Sequence, residues 1–505
     1  MPLPANETPW PPRDDEQARG RLAEHDAWYS GDTDRIDKVY GRDAERPSSR
    51  PSQYAGGLKG RLARFWYGKP DPFGRQPSRL HAGLPGDLAQ AAAELLFSES
   101  PTLRPEDEKN LAARDELESL VRRSQLVARL SEAAEVGAAL GGTFLRGWWD
   151  REVAGHPLVQ VVHPDNAWPT IIGGRLRSVM FVQVIDDDGS TVLRHVEQHE
   201  PDGWILHALY QGTHDRIGFR RNLADHKATA GLPDQVPPVL PGELSVAYVP
   251  NMLPNPVSRG SWLGRSDYVR NEQLFDWLDE TITSWRRDVR LAKGRLIVPD
   301  GYLTSLGPGR GAMFDVEREV YEQINIPPMS GQNASPITVA QFAIRVAEHR
   351  DTARQIMQLA VSNAGYSTST FGLGDEAAAG GAKTATEIRE RKARSLTRRD
   401  RQIGYWTPAL EHITRVLAAI DAQQFGGRLA GLPVRVDWPD GVAVDLLTLA
   451  QTAVSLRTAE AASDETIIRT VHPDWGDEQV TAEVAAIGKA RAEANPPDPL
   501  DVVPV

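Results

Sequence analysis

His195-Val-Glu197-Gln-His199 is the one stretch of this 505-residue chain with the look of a metal site. On a β-strand, positions i, i+2 and i+4 share a face, so two imidazoles and a carboxylate there could converge on a cation. Neighbours two apart on a strand are nevertheless roughly 7 Å from each other, too far to share an ion without help. His and Glu are mostly exposed residues, and a solvated strand face is the plainer reading. Gly380-Gly-Ala-Lys-Thr384 is like the end of a phosphate-cradling loop, but Ala382 separates glycine from lysine and no strand leads in. A flexible loop accounts for it better. The Gly-x-Ser-x-Gly elbow is absent, and zero cysteines exclude thiol catalysis, thiolate metal sites and disulfides. His412, alone on an apolar helical run, reads as packed or surface-lying rather than as a ligand. Enzyme signatures are thus few, and these residues call for no metal or cofactor.

Charge is the remaining chemistry. The net charge of −12 argues against a protein that simply clamps nucleic acid, although it leaves room for one past which DNA slides. Only nine of the 57 basic residues are Lys. From Thr384 to Arg401 seven basic residues face three acidic ones, which is either a solvated helix with i,i+4 pairs or a surface turned to DNA or another subunit. A second run, after Gly264, is acidic first (Asp267, Glu272, Asp276, Asp279, Glu280) and basic later (Arg286, Arg287, Arg290, Lys293), which complements a helix dipole.

Those charges sit on helices. The run opening at Gly264-Arg-Ser-Asp267 carries Leu274, Phe275, Leu278, Ile282, Trp285 and Val289 at three- and four-residue spacing, and Ile337–Asn363 repeats the pattern with Val339, Phe342, Val346, Ala353, Ile356, Met357 and Ala360. Between them lies a short Gly/Pro-rich segment. After them comes Tyr366–Lys383, a Gly/Ala-rich loop with almost no means of packing. Thr384-Ala-Thr-Glu387 then caps a long helix that Pro408 should kink or restart. Upstream, residues 1–13 read as a disordered or extended Pro-rich arm without the start of a signal peptide. A helix around Asp14–Tyr29 should bury Leu22, Ala23 and Trp28. Further helices are expected around Leu80–Phe97 and from Pro105 to Gly141, the latter as one long helix. Short β-rich runs between Phe144 and Val249 suggest an antiparallel meander of about five strands. Val434–Trp438 reads as a late strand. Leu446–Arg457 and Glu478–Ala492 are helical, and Pro496–Val505 is a tail. No apolar run approaches the ~18–20 residues of a membrane span.

In their order and spacing these segments resemble the portal proteins of tailed bacteriophages of the siphophage type. Ala55-Gly-Gly-Leu-Lys59 and Leu96-Phe-Ser-Glu-Ser-Pro101 look like that family's N-terminal wing. Gly141-Gly-Thr-Phe-Leu145, leading to Val162-His-Pro-Asp165, is similar to its wing strands. Gly264-Arg-Ser-Asp267 resembles the mouth of its first stem helix, and Lys383-Thr-Ala-Thr-Glu-Ile388 the start of the helix behind its tunnel loop. Asp437-Trp-Pro-Asp440 before a helix pair is also similar.

The resemblance implies an α+β, predominantly helical portal fold with an α/β wing, a two-helix stem, a small α/β clip and a helical crown. Its map is a disordered arm (1–13), wing (14–260), stem helix (261–293), clip (294–334), stem helix (335–364), tunnel loop (365–383), long wing helix and late strand (384–445), crown (446–492) and disordered tail (493–505). It implies a non-enzymatic ring, usually of twelve copies, at one capsid vertex of the virion, assembled in the host cytoplasm. The partners implied are copies of itself, double-stranded DNA in the channel, the terminase large subunit, the head–tail adaptor, and the major capsid protein and scaffold; no membrane is involved. The residues it brings forward are Ser367, Thr368, Ser369, Phe371, Asp375, Glu376 and Lys383 in the tunnel loop. On the channel side of the stem they are Glu272, Asp276, Glu280 and Lys293, and on the clip Arg310, Asp315, Glu317 and Arg318. The alternatives are a metal-dependent DNA-processing enzyme built on His195, Glu197 and His199, or another phage head or connector protein.

Overall fold

A computed structural model describes residues 3–12, 16–40, 79–107, 109–291, 295–297, 304–305, 312–313, 338–340, 344–374, 385–439, 453–459, 461–472 and 475–494. The fold is mixed α+β. Helices α1 (Glu16–Ser30), α2 (Thr33–Val39) and α3 (Leu84–Phe97) come first, followed by a short strand β1 (Thr102–Pro105). Leu22 and Trp28 of α1 are buried as their spacing requires, but Ala23 is exposed, and Ala27 and His25 take the inward positions. The acid turn after Pro105 does not start a helix. Pro105 ends β1, which pairs antiparallel with the late strand, Thr102 opposite Asp437.

The single helix expected next is two, α4 (Leu111–Arg123) and α5 (Leu126–Leu140). Gln125 adopts φ +54° between them, a left-handed conformation that no continuous α-helix accommodates. The one meander expected is likewise two sheets. Strands β2 (Gly142–Trp148) and β3 (Leu158–Val162) join the later β10 (Val246–Pro250) in the order β10-β2-β3. The meander proper is β4 (Ala167–Ile172), β5 (Arg175–Asp187), β6 (Val192–His199), β7 (Ile205–Thr213) and β8 (Arg216–Arg221), with β9 (Gln235–Val236) paired to β7. Residues 3–12 are no loose arm. Trp10 packs at a tilt against Trp168, their rings 4.6 Å apart, and main-chain bonds join Glu7 to Gly218 and Thr8 to Ile217.

Two helices follow, α6 (Glu272–Leu291) and α7 (Val346–Ala364), both shorter than the sequence pattern suggests. Residues 264–266 are irregular and 267–271 form turns instead of a first helical turn. Of the segment between α6 and α7, strands β11 (Arg295–Ile297), β12 (Thr304–Ser305), β13 (Ala312–Met313) and β14 (Thr338–Ala340) are described, pairing β11 with β14 and β12 with β13. Val339 therefore belongs to a strand, not to the helix. The long helix α8 (Ala385–Phe425) runs unbroken for 41 residues through Pro408. The proline leaves the Gly404 carbonyl without its helical donor, and beside it the Thr407 hydroxyl donates to the Ile403 carbonyl at 2.9 Å. Strand β15 (Val434–Asp437) and helices α9 (Asp464–Val471) and α10 (Asp477–Ala494) complete the order, with Ile467, Ile468 and Val480 buried. No helix among the described residues is long and apolar enough to cross a membrane.

Two large cores hold these parts. One joins α3, α4 and α5 to β2, β10, β15 and the second half of α8, through residues such as Phe97, Leu117, Leu145, Trp406 and Ile413. The other gathers α1, α3 and α5 around the bases of α6 and α7, through Trp28, Leu88, Phe275, Leu278, Ile356 and Tyr366. The two chain segments leading into β2 and α6 cross at Gly141 and Gly264. A Cβ built on Gly264 would lie 2.5 Å from the Gly141 carbonyl oxygen and 3.0 Å from the Asn251 nitrogen, both backbone atoms. Gly264→Ala should therefore cost about 1–3 kcal/mol by overpacking, read as a lower urea midpoint. An unchanged midpoint would contradict this close crossing.

Candidate functional site

The base of the helix pair is held by a buried polar node. Asp267, just before α6, forms an ion pair with Arg398 of α8, and both side chains are almost wholly buried. The Tyr366 hydroxyl, in the turn after α7, donates to Asp267 Oδ2 at 2.6 Å, and Asn251 Nδ2, at the end of β10, donates to Oδ1 at 2.7 Å. Arg398 also donates to the Ala364 carbonyl at 2.7 Å, and its guanidinium lies 4.6 Å over the Tyr366 ring. Gln402 Nε2 reaches Asn251 Oδ1 at 2.7 Å. Burial pushes the Tyr366 hydroxyl far above its ordinary range, so it stays a donor. The sequence marked Gly264-Arg-Ser-Asp267 as a helix start and the basic run as a surface. Their meeting is a property of tertiary structure that neither local pattern announces.

From this base α6 and α7 run antiparallel. Asn271 Nδ2 donates to the Ala360 carbonyl at 3.0 Å at one end, while His349 and Arg345 hold Asp288 at 3.0 and 2.9 Å near the other. These two neighbours keep the Asp288 carboxyl below its usual range, the His349 hydrogen bond first. The acids expected on a channel face divide. Glu272 turns back to His25 and Arg21 of α1, at 3.3 and 3.5 Å. Asp276 pairs with Arg79, and Asp279 accepts from His81 at 3.0 Å and from the Ala82 amide at 2.9 Å. Glu280 is exposed and lies with Trp277, Thr281, Ser284, Arg345, Glu348, His349 and Thr352 along an open groove between the helices. Lys293 lies outside the described residues.

The loop after α7 is anchored over its first half, contrary to its expected lack of packing. Thr368–Phe371 is a short 3-10 turn. The Ser367 amide donates to the Ser395 hydroxyl at 2.9 Å, the Ser369 hydroxyl to the Arg391 carbonyl at 2.8 Å, and Phe371 packs edge-on to Tyr366 at 5.8 Å. Gln358 and Arg354 of α7 bond the carbonyls of Leu373 and Gly374. Thr368 lies beside an open groove with Gln355, Leu359 and Leu373. Asp375, Glu376 and Lys383, the capping residue Thr384, and the clip residues Arg310, Asp315, Glu317 and Arg318 lie outside the described residues. So does Ala55–Lys59.

The basic run of α8 is in part internal wiring. Besides Arg398, Arg399 is buried and donates to the carbonyls of Leu95 and Pro439 at 2.8 and 2.6 Å. Arg394 and Arg401 are exposed, Arg401 reaching the Leu253 carbonyl at 3.2 Å. His412 is a packed residue that bonds the Leu244 carbonyl at 2.8 Å.

The His195, Glu197 and His199 face is not solvated; it is the joint between the two sheets. Arg146 of β2 meets Glu197 Oε2 at 2.6 Å, and His199 Nε2 meets Oε1 at 2.7 Å. His207 of β7, which the sequence did not single out, stacks on His195 with their ring nitrogens 3.2 Å apart. Burial alone would raise the Glu197 carboxyl, but Arg146, His199 and His207 together hold it well below the usual range. The same burial lowers His195 and pushes His207 down to about 4. With its carboxylate occupied by an arginine, the cluster is not arranged to take a cation, and no metal-binding group of three occurs among the described residues.

No protein-family profile matches the chain, and no curated protein does. Among solved structures, the chain is similar to one in the neck of an empty GTA particle computed with C6 symmetry. Identity is 12%, the TM-score is 0.39, and the match covers 78% of this chain and 91% of that one. It is also similar to a chain from the virion of a native gene transfer agent (GTA) particle, at 12% identity and a TM-score of 0.38, covering 88% of this chain and 98% of that one. Likenesses this loose leave the function to be argued from the chain itself.

Two predictions come from the buried groups. Removing one partner of a buried ion pair strands the other, so Arg398→Met should lose about 3–5 kcal/mol in chemical denaturation, and Tyr366→Phe about 1–2 kcal/mol. Losses below about 0.5 kcal/mol for both would show that the node carries no weight. The second concerns pH. An unfolded histidine binds its proton near pH 6.5, whereas folded His207 does so only near 4. Between those values the unfolded chain holds more protons, so stability falls as pH falls from about 6.5 towards 4. His207→Gln should remove on the order of 2 kcal/mol of that acid loss, measured by denaturant melts at pH 7 and 4.5. Parallel curves for the two proteins would rule out a protonation step at His207.

Proposed function

We propose that this chain is a structural, non-enzymatic subunit of a closed ring at one capsid vertex of a tailed-phage-type virion. Its channel passes double-stranded DNA during packaging and ejection. The observation that carries this reading is the helix pair. Helices α6 and α7 are 20 and 19 residues long, about 30 Å each. Their shared base is buried, yet along their length Trp277 and Val289 are 49% exposed, Val346 47% and Leu359 52%. A two-helix projection that leaves such side chains in water is under-packed on its own, and neighbouring copies around a closed ring are a means of covering them.

Within this reading the resemblance gives the ring twelve copies, and the helix pair is the stem. Glu280 is one of its exposed acids, with Glu348 and Asp351 of α7, and residues 365–383 border the channel, braced by Ser367, Ser369 and Phe371. The segment between α6 and α7, with Arg310, Asp315, Glu317 and Arg318, is the clip that meets the terminase large subunit and then the head–tail adaptor. The outer body meets the capsid protein and scaffold. The competing reading, a metal-dependent DNA-processing enzyme, needs His195, Glu197 and His199 free for a cation, and all three have protein partners. Native mass spectrometry with negative-stain microscopy tests the choice. A ring many times the mass of the 55.6 kDa chain, with a central hole, is expected. A monomer that cleaves DNA when given divalent metal would overturn the proposal.

A further inference from the structure

The meander has two faces, one of which meets the other sheet through Arg146 and Glu197. The face opposite the histidines carries Trp168, Met180, Val182, Val196, Ala208, Tyr210 and Ile217, all buried. Among the described residues, the apolar side chains laid over this cluster from outside the sheet are Leu3 and Trp10. They belong to the Pro-rich stretch 3–12, which is held the way a bound peptide is held. Its backbone lies antiparallel along the free edge of β8: Glu7 N–H donates to the Gly218 carbonyl at 2.9 Å, Ile217 N–H to the Thr8 carbonyl at 3.0 Å, and Trp10 N–H to the Asp215 carbonyl at 2.8 Å. The Tyr210 hydroxyl donates to the Pro4 carbonyl at 2.7 Å, and the Asn6 side chain accepts from the Arg220 amide at 3.0 Å. The Trp10 ring lies against Trp168, whose indole carries the Arg19 guanidinium at 3.9 Å, and Arg194 stands over Trp10 at 5.9 Å.

Main-chain bonds to a sheet edge, with one aromatic anchor in an apolar seat, are the elements of strand-addition recognition. The receiving half is complete without the stretch that fills it. Trp168 is fixed by Arg19, whose guanidinium also donates to the carbonyls of Asp165 and Ala167 at 2.6 Å each, and Tyr210, Ile217 and the β8 edge belong to the sheet itself. We infer that this strip is a strand-acceptor site, separable from the segment seated in it, and that its partner is residues 3–12 of a second copy of the same chain. Identical contacts form whether the segment comes from the same copy or another. The exposed edge of β8 would otherwise be open to indiscriminate pairing, and a segment specific for it closes that edge.

The chain holds no cysteine, which makes the test clean. Pro9 and Arg216 are direct bridge partners. Full-length Pro9→Cys is mixed with a copy that carries Arg216→Cys and lacks residues 1–12, and the mixture is oxidised. A disulfide-linked pair of one long and one short chain on a non-reducing gel is expected, and its loss when Trp10→Ala is added to the long chain. Monomers alone, from a short copy whose circular dichroism is native, would overturn the inference. Should the short copy fail to fold, the full-length Leu3→Ala/Trp10→Ala variant replaces it. A fluorescein-labelled peptide of residues 1–13 should then bind that variant roughly tenfold more tightly than the unaltered chain, whose own segment fills the site. Equal binding to both would overturn the inference as well.

Discussion

The pairing of Arg398 with Asp267 is the constraint on which the rest of the molecule turns. Taking two charges out of water costs several kcal/mol per ion, and their mutual attraction offsets it only when the remaining donors and acceptors are also satisfied. Here Tyr366, Asn251 and the Ala364 carbonyl supply most of those partners, with Gln402 bonding Asn251 in turn, while Arg398 Nε is left without one. Four separate stretches therefore have to arrive together: the end of β10, the turn before α6, the turn after α7 and the middle of α8. A buried pair adds little net stability, but a misplaced member leaves an uncompensated charge. The node thus fixes where both helices of the pair begin and end.

That fixed base contrasts with the length of helix beyond it. Phe275 and Leu278 are packed into the core, whereas Val289 and Val346, towards the other end, stand half in water. The acids of α6 follow the same division. Glu272, Asp276 and Asp279 are taken up by His25, Arg79 and His81 from the body, while Asp288 is held by Arg345 and His349 at the start of α7. The helix pair is firmly oriented at one end and poorly covered along its faces, a combination that suits an element completed by neighbours.

A half-buried arginine on a buried carboxylate repeats the theme in the sheets. Arg146 crosses from β2 to Glu197 on β6, and His199 and His207 close around the same carboxylate. Period-two alternation placed His195, Glu197 and His199 on one face correctly. What it could not reveal is that β2 and β3 leave the meander to form a sheet with β10, so that the face is covered. An exposed strand face and a buried one have the same spacing when the buried polar groups satisfy each other.

The sequence by itself determined the local facts: helical stripes at Phe275 and Leu278 and at Ile356 and Ala360, the strand runs, the helix stop at Gly141, the absence of thiol chemistry. These rest on interactions between residues a few positions apart, which is why periodicity exposes them. Its errors fell where a distant contact outweighs a local preference. Gly264–Asn271 stays non-helical because Asp267 is committed to Arg398, Pro105 ends a strand because β15 lies beside it, and α8 runs through Pro408. Only the tertiary structure decided which charges are internal. Arg398, Arg399 and Glu197 look like surface residues in the sequence and are buried in the fold, because burial of a charge depends on a partner that may lie more than a hundred residues away.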